Sequence, residues 1–109
     1  GRSDDMLIIR GVNVFPTQIE SVLMGFKGTE PHYQIIVDRK GSLDDIEVMV
    51  EVNEKIFSDE IKVMNDLSKN ISDRFRSSLG ISAKITLVEP QTIPRSEGKA
   101  VRVIDKRKI

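Results

Sequence analysis

The chain has 109 residues, 39% of them apolar and 31% charged, which suits one soluble domain burying roughly 65% of its unfolded surface without staples. Lys+Arg and Asp+Glu are both 17, so the zero formal charge gives no global attraction to nucleic acid or to an anionic membrane. The absence of cysteine excludes disulfides and thiolate chemistry and fits a reducing cytoplasm, and no apolar run approaches the ~20 residues of a membrane span.

Met6-Leu7-Ile8-Ile9 is a short apolar run, and Val12-Asn13-Val14-Phe15 alternates after Arg10-Gly11. Residues 6–15 therefore read as a tight β-hairpin turning at Gly11. Pro16 suits the first turn of a helix, where its missing N–H is harmless. Ile19, Val22, Leu23 and Phe26 then share one face, giving an amphipathic helix over 17–26 that ends at Gly25 or Gly28.

Residues 33–37 (Tyr-Gln-Ile-Ile-Val) read as a strand, followed by a polar turn around Gly41. Ile46, Val48, Val50 and Val52 alternate with the acids Glu47 and Glu51, the pattern of a half-buried strand. Ser58 offers an N-cap with Asp59 and Glu60 in the first turn. Ile61, Met64, Leu67, Ile71, Phe75 and Leu79 recur every three or four residues, so one long helix spans 59–79 and stops at Gly80. Residues 83–88 form a last strand before Glu89-Pro90, and Val101 and Val103 hint at a short extra one. The expected class is α+β in the order βαββαβ. A small N-terminal hairpin precedes a three-stranded sheet with two helices packed on one face.

Little of the chemistry is conspicuous. His32 is the only histidine and, following Pro31, reads as a solvent-facing loop residue; without cysteines it makes neither a metal cluster nor a triad. No metal site is expected. Gly11 and Gly98 stand apart, without the spacing of a phosphate-cradling loop, so the chain by itself should bind no nucleotide cofactor. The basic run Lys106-Arg107-Lys108 lacks interleaved aromatics, and no nucleic-acid partner is expected. Lys99 is the exception. It follows Gly98 in the polar segment Pro94-Arg95-Ser96-Glu97, a setting in which the main chain can approach a ligand and an ammonium can meet an anionic oxygen. Such a contact at ~4 Å is worth roughly 4 kcal/mol at an effective dielectric of about 20, or about a thousandfold in rate if made in the transition state.

The two ends together resemble a known family. Residues 1–20, from Gly1-Arg2-Ser3-Asp4-Asp5 through Arg10-Gly11 to Phe15-Pro16 and Glu20, are similar to the hinge and hairpin that open the C-terminal domain of adenylate-forming acyl-CoA ligases. Ser96-Glu97-Gly98-Lys99-Ala100-Val101-Arg102-Val103 resembles that domain's closing lysine loop, and the likeness is nearest to the branch that activates aryl-acetic acids. The resemblance implies a hinge over residues 1–5 and a mobile domain over 6–109, excised from a larger chain. It implies that Lys99 serves adenylation, that Asp4 is the hinge residue, and that Arg2 lies near the adenylate ribose. Arg10 and Gly11 would line the channel for the pantetheine arm of CoA. ATP and CoA would be substrates, with Mg2+ brought in with ATP and held mainly by an N-terminal adenylate-binding domain that is also this domain's partner. The fragment alone should be inactive. The alternative is a stand-alone regulatory module that binds a small ligand or dimerises through a sheet edge.

Overall fold

A computed structural model describes residues 6–41, 43–93 and 103–106. The chain begins with a hairpin of β1 (Leu7–Ile9) and β2 (Val12–Val14), in register Leu7↔Val14 and Ile9↔Val12. Two residues make the turn, and both have positive φ: Arg10 at 50° and Gly11 at 80°. That is the handedness that matches strand twist in a two-residue hairpin. Leu7, Ile9 and Val14 are buried, whereas Ile8 and Asn13 face out.

Helix α1 (Pro16–Met24) starts at the proline, and Gln18 Oε1 accepts the Phe15 N–H at 2.8 Å to fix the entry. It ends two residues before the expected limit. There Thr29 Oγ1 lies 2.8 Å from the Leu23 carbonyl and 2.9 Å from that of Phe26, covering acceptors the helix leaves free. Ile19 and Leu23 are fully buried.

Strands β3 (Thr29–Lys40) and β4 (Leu43–Val52) are longer than their apolar runs suggest. Their antiparallel ladder carries polar residues, Asp38↔Asp45 and Arg39↔Asp44, to the turn at Gly41. A register shift lies between Thr29 and Tyr33, so His32 sits half-buried inside a strand, not in a loop. After β4 comes a one-turn helix, α2 (Glu54–Phe57), that periodicity does not reveal. Asn53 is its N-cap, accepting the Ile56 N–H at 2.8 Å. Ser58 is therefore not the cap of the long helix. Its hydroxyl donates backwards to the Glu54 carbonyl, and α3 (Ile61–Leu79) starts after Glu60. Ile71 and Phe75 are fully buried, but Ile61 at the helix start is 76% exposed. Ser68 and Ser72 Oγ donate to the carbonyls of Ile85 and Ala83, locking α3 to the strand that follows.

That strand, β5 (Lys84–Val88), runs parallel to β4, and β6 (Val103–Asp105) runs parallel to β3. The sheet is thus four-stranded and mixed, in the order β5-β4-β3-β6. The α+β class, the hairpin and the two packed helices stand. The fourth strand and α2 are added to the expected scheme. Tyr33, Ile35 and Val37 of β3, Ile46, Val48 and Val50 of β4, and Ile85 of β5 form one core cluster with Ile19, Leu23, Ile71 and Phe75. No helix among the described residues is long and apolar enough to cross a membrane.

Candidate functional site: two segments anchored at opposite ends of one strand

The Arg10-Gly11 turn is exposed, and the sheet holds it from one side. Asp44, near the start of β4, accepts the Arg10 N–H through Oδ2 at 3.2 Å, and its carbonyl accepts Arg10 Nε at 2.7 Å. The same carboxylate takes Arg39 Nε on Oδ1 at 3.1 Å. Arg10 adopts a backbone conformation costing roughly 1 kcal/mol for a residue with a side chain. Asp44 offsets that by binding both its main chain and its guanidinium. A Cβ placed on Gly11 would meet nothing within 4 Å, so only its φ of 80° asks for glycine. A shallow depression beside the turn is lined by Ile9, Arg10, Val12, Gly80, Ile81 and Ser82.

At the other end of β4 the acid Glu51, expected on a solvated face, is fully buried. The chain returning after β5 covers it, and its carboxylate accepts the N–H groups of Gln91 at 2.8 Å and Ile93 at 3.0 Å. Asp44 and Glu51 are seven positions apart, about 23 Å along a strand rising ~3.3 Å per residue. The hairpin turn and the bend at Gln91–Ile93 are therefore held at opposite ends of one strand.

Of the residues singled out in the sequence, Arg10 and Gly11 are placed together at the hairpin turn. Lys99, Asp4 and Arg2 lie outside the described residues. Among the described residues no group of three or more His, Cys, Asp or Glu is arranged to hold a metal. The acids Asp44 and Glu51 carried no functional reading in the sequence. Asp44 lies beside a glycine turn and Glu51 in an alternating strand, both ordinary solvated settings. Only their partners, 34 to 42 residues away, reveal them.

A hairpin leading into an α/β layer whose long helix packs on a mixed sheet is the fold of the C-terminal domain of AMP-binding enzymes. The chain belongs to this class: residues 11–107 match the family described as the AMP-binding enzyme C-terminal domain. It is 46% identical, over 99% of its length, to a phenylacetate–coenzyme A ligase of Thermus thermophilus, of which it covers 27%. A solved domain of phenylacetate–coenzyme A ligase from Bacteroides vulgatus superposes with a TM-score of 0.87 and 33% identity, covering 99% of this chain and 98% of that one. A 2-hydroxyisobutyryl-CoA ligase, solved with its acyl-adenylate and CoA in the thioesterification state, also superposes with a TM-score of 0.87. It is 34% identical, with 99% of this chain and 22% of that one covered. The chain spans about a quarter of the length of the curated relatives it matches.

Proposed function

We propose that this chain is the swinging C-terminal domain of an ATP-dependent acid–thiol ligase, with phenylacetate as the acid, working in the cytoplasm. The likeness to phenylacetate–coenzyme A ligases along nearly the whole chain carries this reading. Two steps are involved. A carboxylate oxygen of the acid attacks the α-phosphorus of ATP and pyrophosphate leaves. The CoA thiolate then attacks the acyl carbonyl, and AMP leaves with the electron pair of the broken C–O bond. An N-terminal adenylate-binding domain holds ATP, its Mg2+ and the acid. The present domain brings a different segment to that centre for each step.

In the first step Lys99 Nζ lies against the carboxylate and phosphate oxygens, where charge accumulates as the two anions meet. Arg2 contacts the ribose of the adenylate. In the second step the domain rotates about Asp4 and presents the Arg10-Gly11 turn and its neighbouring depression to the pantetheine arm. The separation of the two anchors supports the need for rotation. With their anchors about 23 Å apart on one strand, the two segments are most simply presented to one centre in turn.

The test is Lys99→Ala in the full-length ligase, with each half-reaction measured separately. Pyrophosphate release on mixing ATP and phenylacetate should fall by about a thousandfold, from the loss of roughly 4 kcal/mol of charge stabilisation. Thioester formation from supplied phenylacetyl-adenylate and CoA should stay within about threefold of wild type, since the interaction lost is specific to the first transition state. Equal losses in the two assays would contradict the division of labour.

A further inference from the structure

Two guanidinium groups meet on a single aspartate behind the hairpin turn. Arg39 and Asp44 are cross-strand partners on β3 and β4. By the alternation of a strand they share the face of the buried Val37 and Ile46, whereas Asp38 and Asp45 lie on the opposite face. Asp44 Oδ1 accepts Arg39 Nε at 3.1 Å. The Asp44 carbonyl accepts Arg10 Nε at 2.7 Å, and Oδ2 takes the Arg10 N–H at 3.2 Å. Each arginine side chain is thus tethered through Nε alone. Among the described residues neither pair of terminal Nη groups has a hydrogen-bond partner.

An arginine paired for stability adopts a different geometry. The strong arrangement is the bidentate fork, in which two N–H groups of one guanidinium take both oxygens of one carboxylate. Here the two oxygens serve different arginines, and the Arg39 side chain is 46% exposed. An ion pair so exposed adds little to stability. What the arrangement does is orient two planar, permanently charged groups with their terminal N–H groups uncommitted. Two positive charges meet one negative there, so this corner is cationic although the chain as a whole is neutral. The carbonyl and carboxylate oxygens of one residue lie about 3–5 Å apart. Guanidiniums tethered to them therefore stand within reach of one phosphate group, whose oxygens accept N–H bonds of about 2.9 Å.

The adjoining turn is the part assigned above to the pantetheine arm of CoA. At the end remote from its thiol, CoA carries a diphosphate and a 3′-phosphate, anionic groups whose oxygens match planar guanidinium donors. We propose that Arg10 and Arg39, oriented by Asp44, form a phosphate-binding fork for CoA. The fork rests on the placement of the Arg10-Gly11 turn in the second step. It adds Arg39 to the residues that touch CoA and gives this corner a second task, recognition of phosphate beside passage of the thiol arm.

The experiment uses the full-length ligase and follows thioesterification from supplied phenylacetyl-adenylate, with CoA, dephospho-CoA or pantetheine as the thiol. Arg39→Gln removes the charge and keeps a polar side chain. It should raise KM for CoA by about tenfold, the loss of a hydrogen bond to a charged group, with kcat and the pyrophosphate release of adenylation within about twofold of wild type. KM for pantetheine, which has no phosphate, should not change. The analogues separate the two phosphates. A fork on the 3′-phosphate leaves KM for dephospho-CoA untouched by Arg39→Gln; a fork on the diphosphate raises it as it raises that for CoA. Added salt should weaken the use of CoA by wild type more than by Arg39→Gln. Arg39→Lys, which keeps the charge without the planar donors, should lose about threefold. Lys69→Gln, at an exposed cation on α3, should behave as wild type. The fork is overturned if Arg39→Gln leaves KM for CoA unchanged. It is equally overturned if KM for pantetheine rises as far as that for CoA, since the effect would then lie in the turn and not in a phosphate. Gly11→Val, strained at φ of 80° with open space around its Cβ, probes the turn itself and should slow thioesterification. If Gly11→Val and Arg39→Gln are both inert, the proposed placement of the turn fails and the fork with it. A slowed Gly11→Val beside an inert Arg39→Gln overturns the fork alone.

Discussion

Replacing Asp44 with alanine probes how the hairpin turn is fixed to the body of the domain. Alanine abolishes the carboxylate's contacts with the Arg10 N–H at 3.2 Å and Arg39 Nε at 3.1 Å. The Arg10 Nε bond at 2.7 Å goes to the Asp44 carbonyl and survives. A bond from a main-chain N–H to a charged acceptor is worth up to ~1.5–3 kcal/mol when buried, and about 1 kcal/mol at this exposed turn. The Arg39 side chain is 46% exposed and that of Asp44 13%, so their ion pair contributes less, ~0.2–1 kcal/mol. The sum is about 1–2 kcal/mol. Urea unfolding of the 109-residue chain should show it as a midpoint lowered by roughly 1 M, at a slope of 1–2 kcal/mol/M. Amide exchange at Arg10 should accelerate by about tenfold, while exchange at Val48 and Val50 follows only the global loss. Asp44→Asn keeps an acceptor for the Arg10 N–H and should lose less than half as much. In the full-length ligase Asp44→Ala should slow thioesterification by about fivefold and leave adenylation unchanged, because a turn less well held by ~1 kcal/mol is correctly placed less often. An unchanged midpoint together with unaccelerated Arg10 exchange would refute the clamp.

Two further predictions concern the backbone. Gly28 has φ of 95°, and a Cβ there would lie 2.8 Å from Ile56 Cγ1. Gly28→Ala should therefore destabilise the chain by about 2–3 kcal/mol, from backbone strain plus overlap. Ile56→Ala in the same chain should recover the overlap part, which a double-mutant cycle in urea measures; simple additivity would show that the two sites do not touch. In the full-length ligase Asp4→Pro should lock φ near −65° and restrict Ser3 before it, slowing the turnover that alternates both steps more than either half-reaction alone. Unchanged turnover would remove Asp4 from the hinge.

The chain's local periodicities were legible because each records a single partner, the one core. Ile19 and Leu23, the alternation from Ile46 to Val52, and Ile71 with Phe75 mark the faces turned inwards, and Arg10-Gly11 marks a two-residue turn. Glycine and proline bound these elements through their own dihedral limits, which need no tertiary partner. The family resemblance, too, was readable at residues 1–20 and 96–103, as contiguous stretches of sequence.

Tertiary structure decided what depends on a second surface. The alternation of β4 predicts that Glu47 and Glu51 are equally solvated; the fold leaves one half-buried and seals the other beneath residues 89–93, because the chain crosses that end of the sheet on its way to β6. The cap at Asn53 pre-empts Ser58, and the parallel pairing of Val103 with Ile35 draws a polar end of the chain into the sheet. Sequence carries a residue's preference for water or oil, a property of one side chain. Whether a carboxylate finds two N–H groups forty residues away is a property of the closed fold, and only there do Asp44 and Glu51 meet their distant partners.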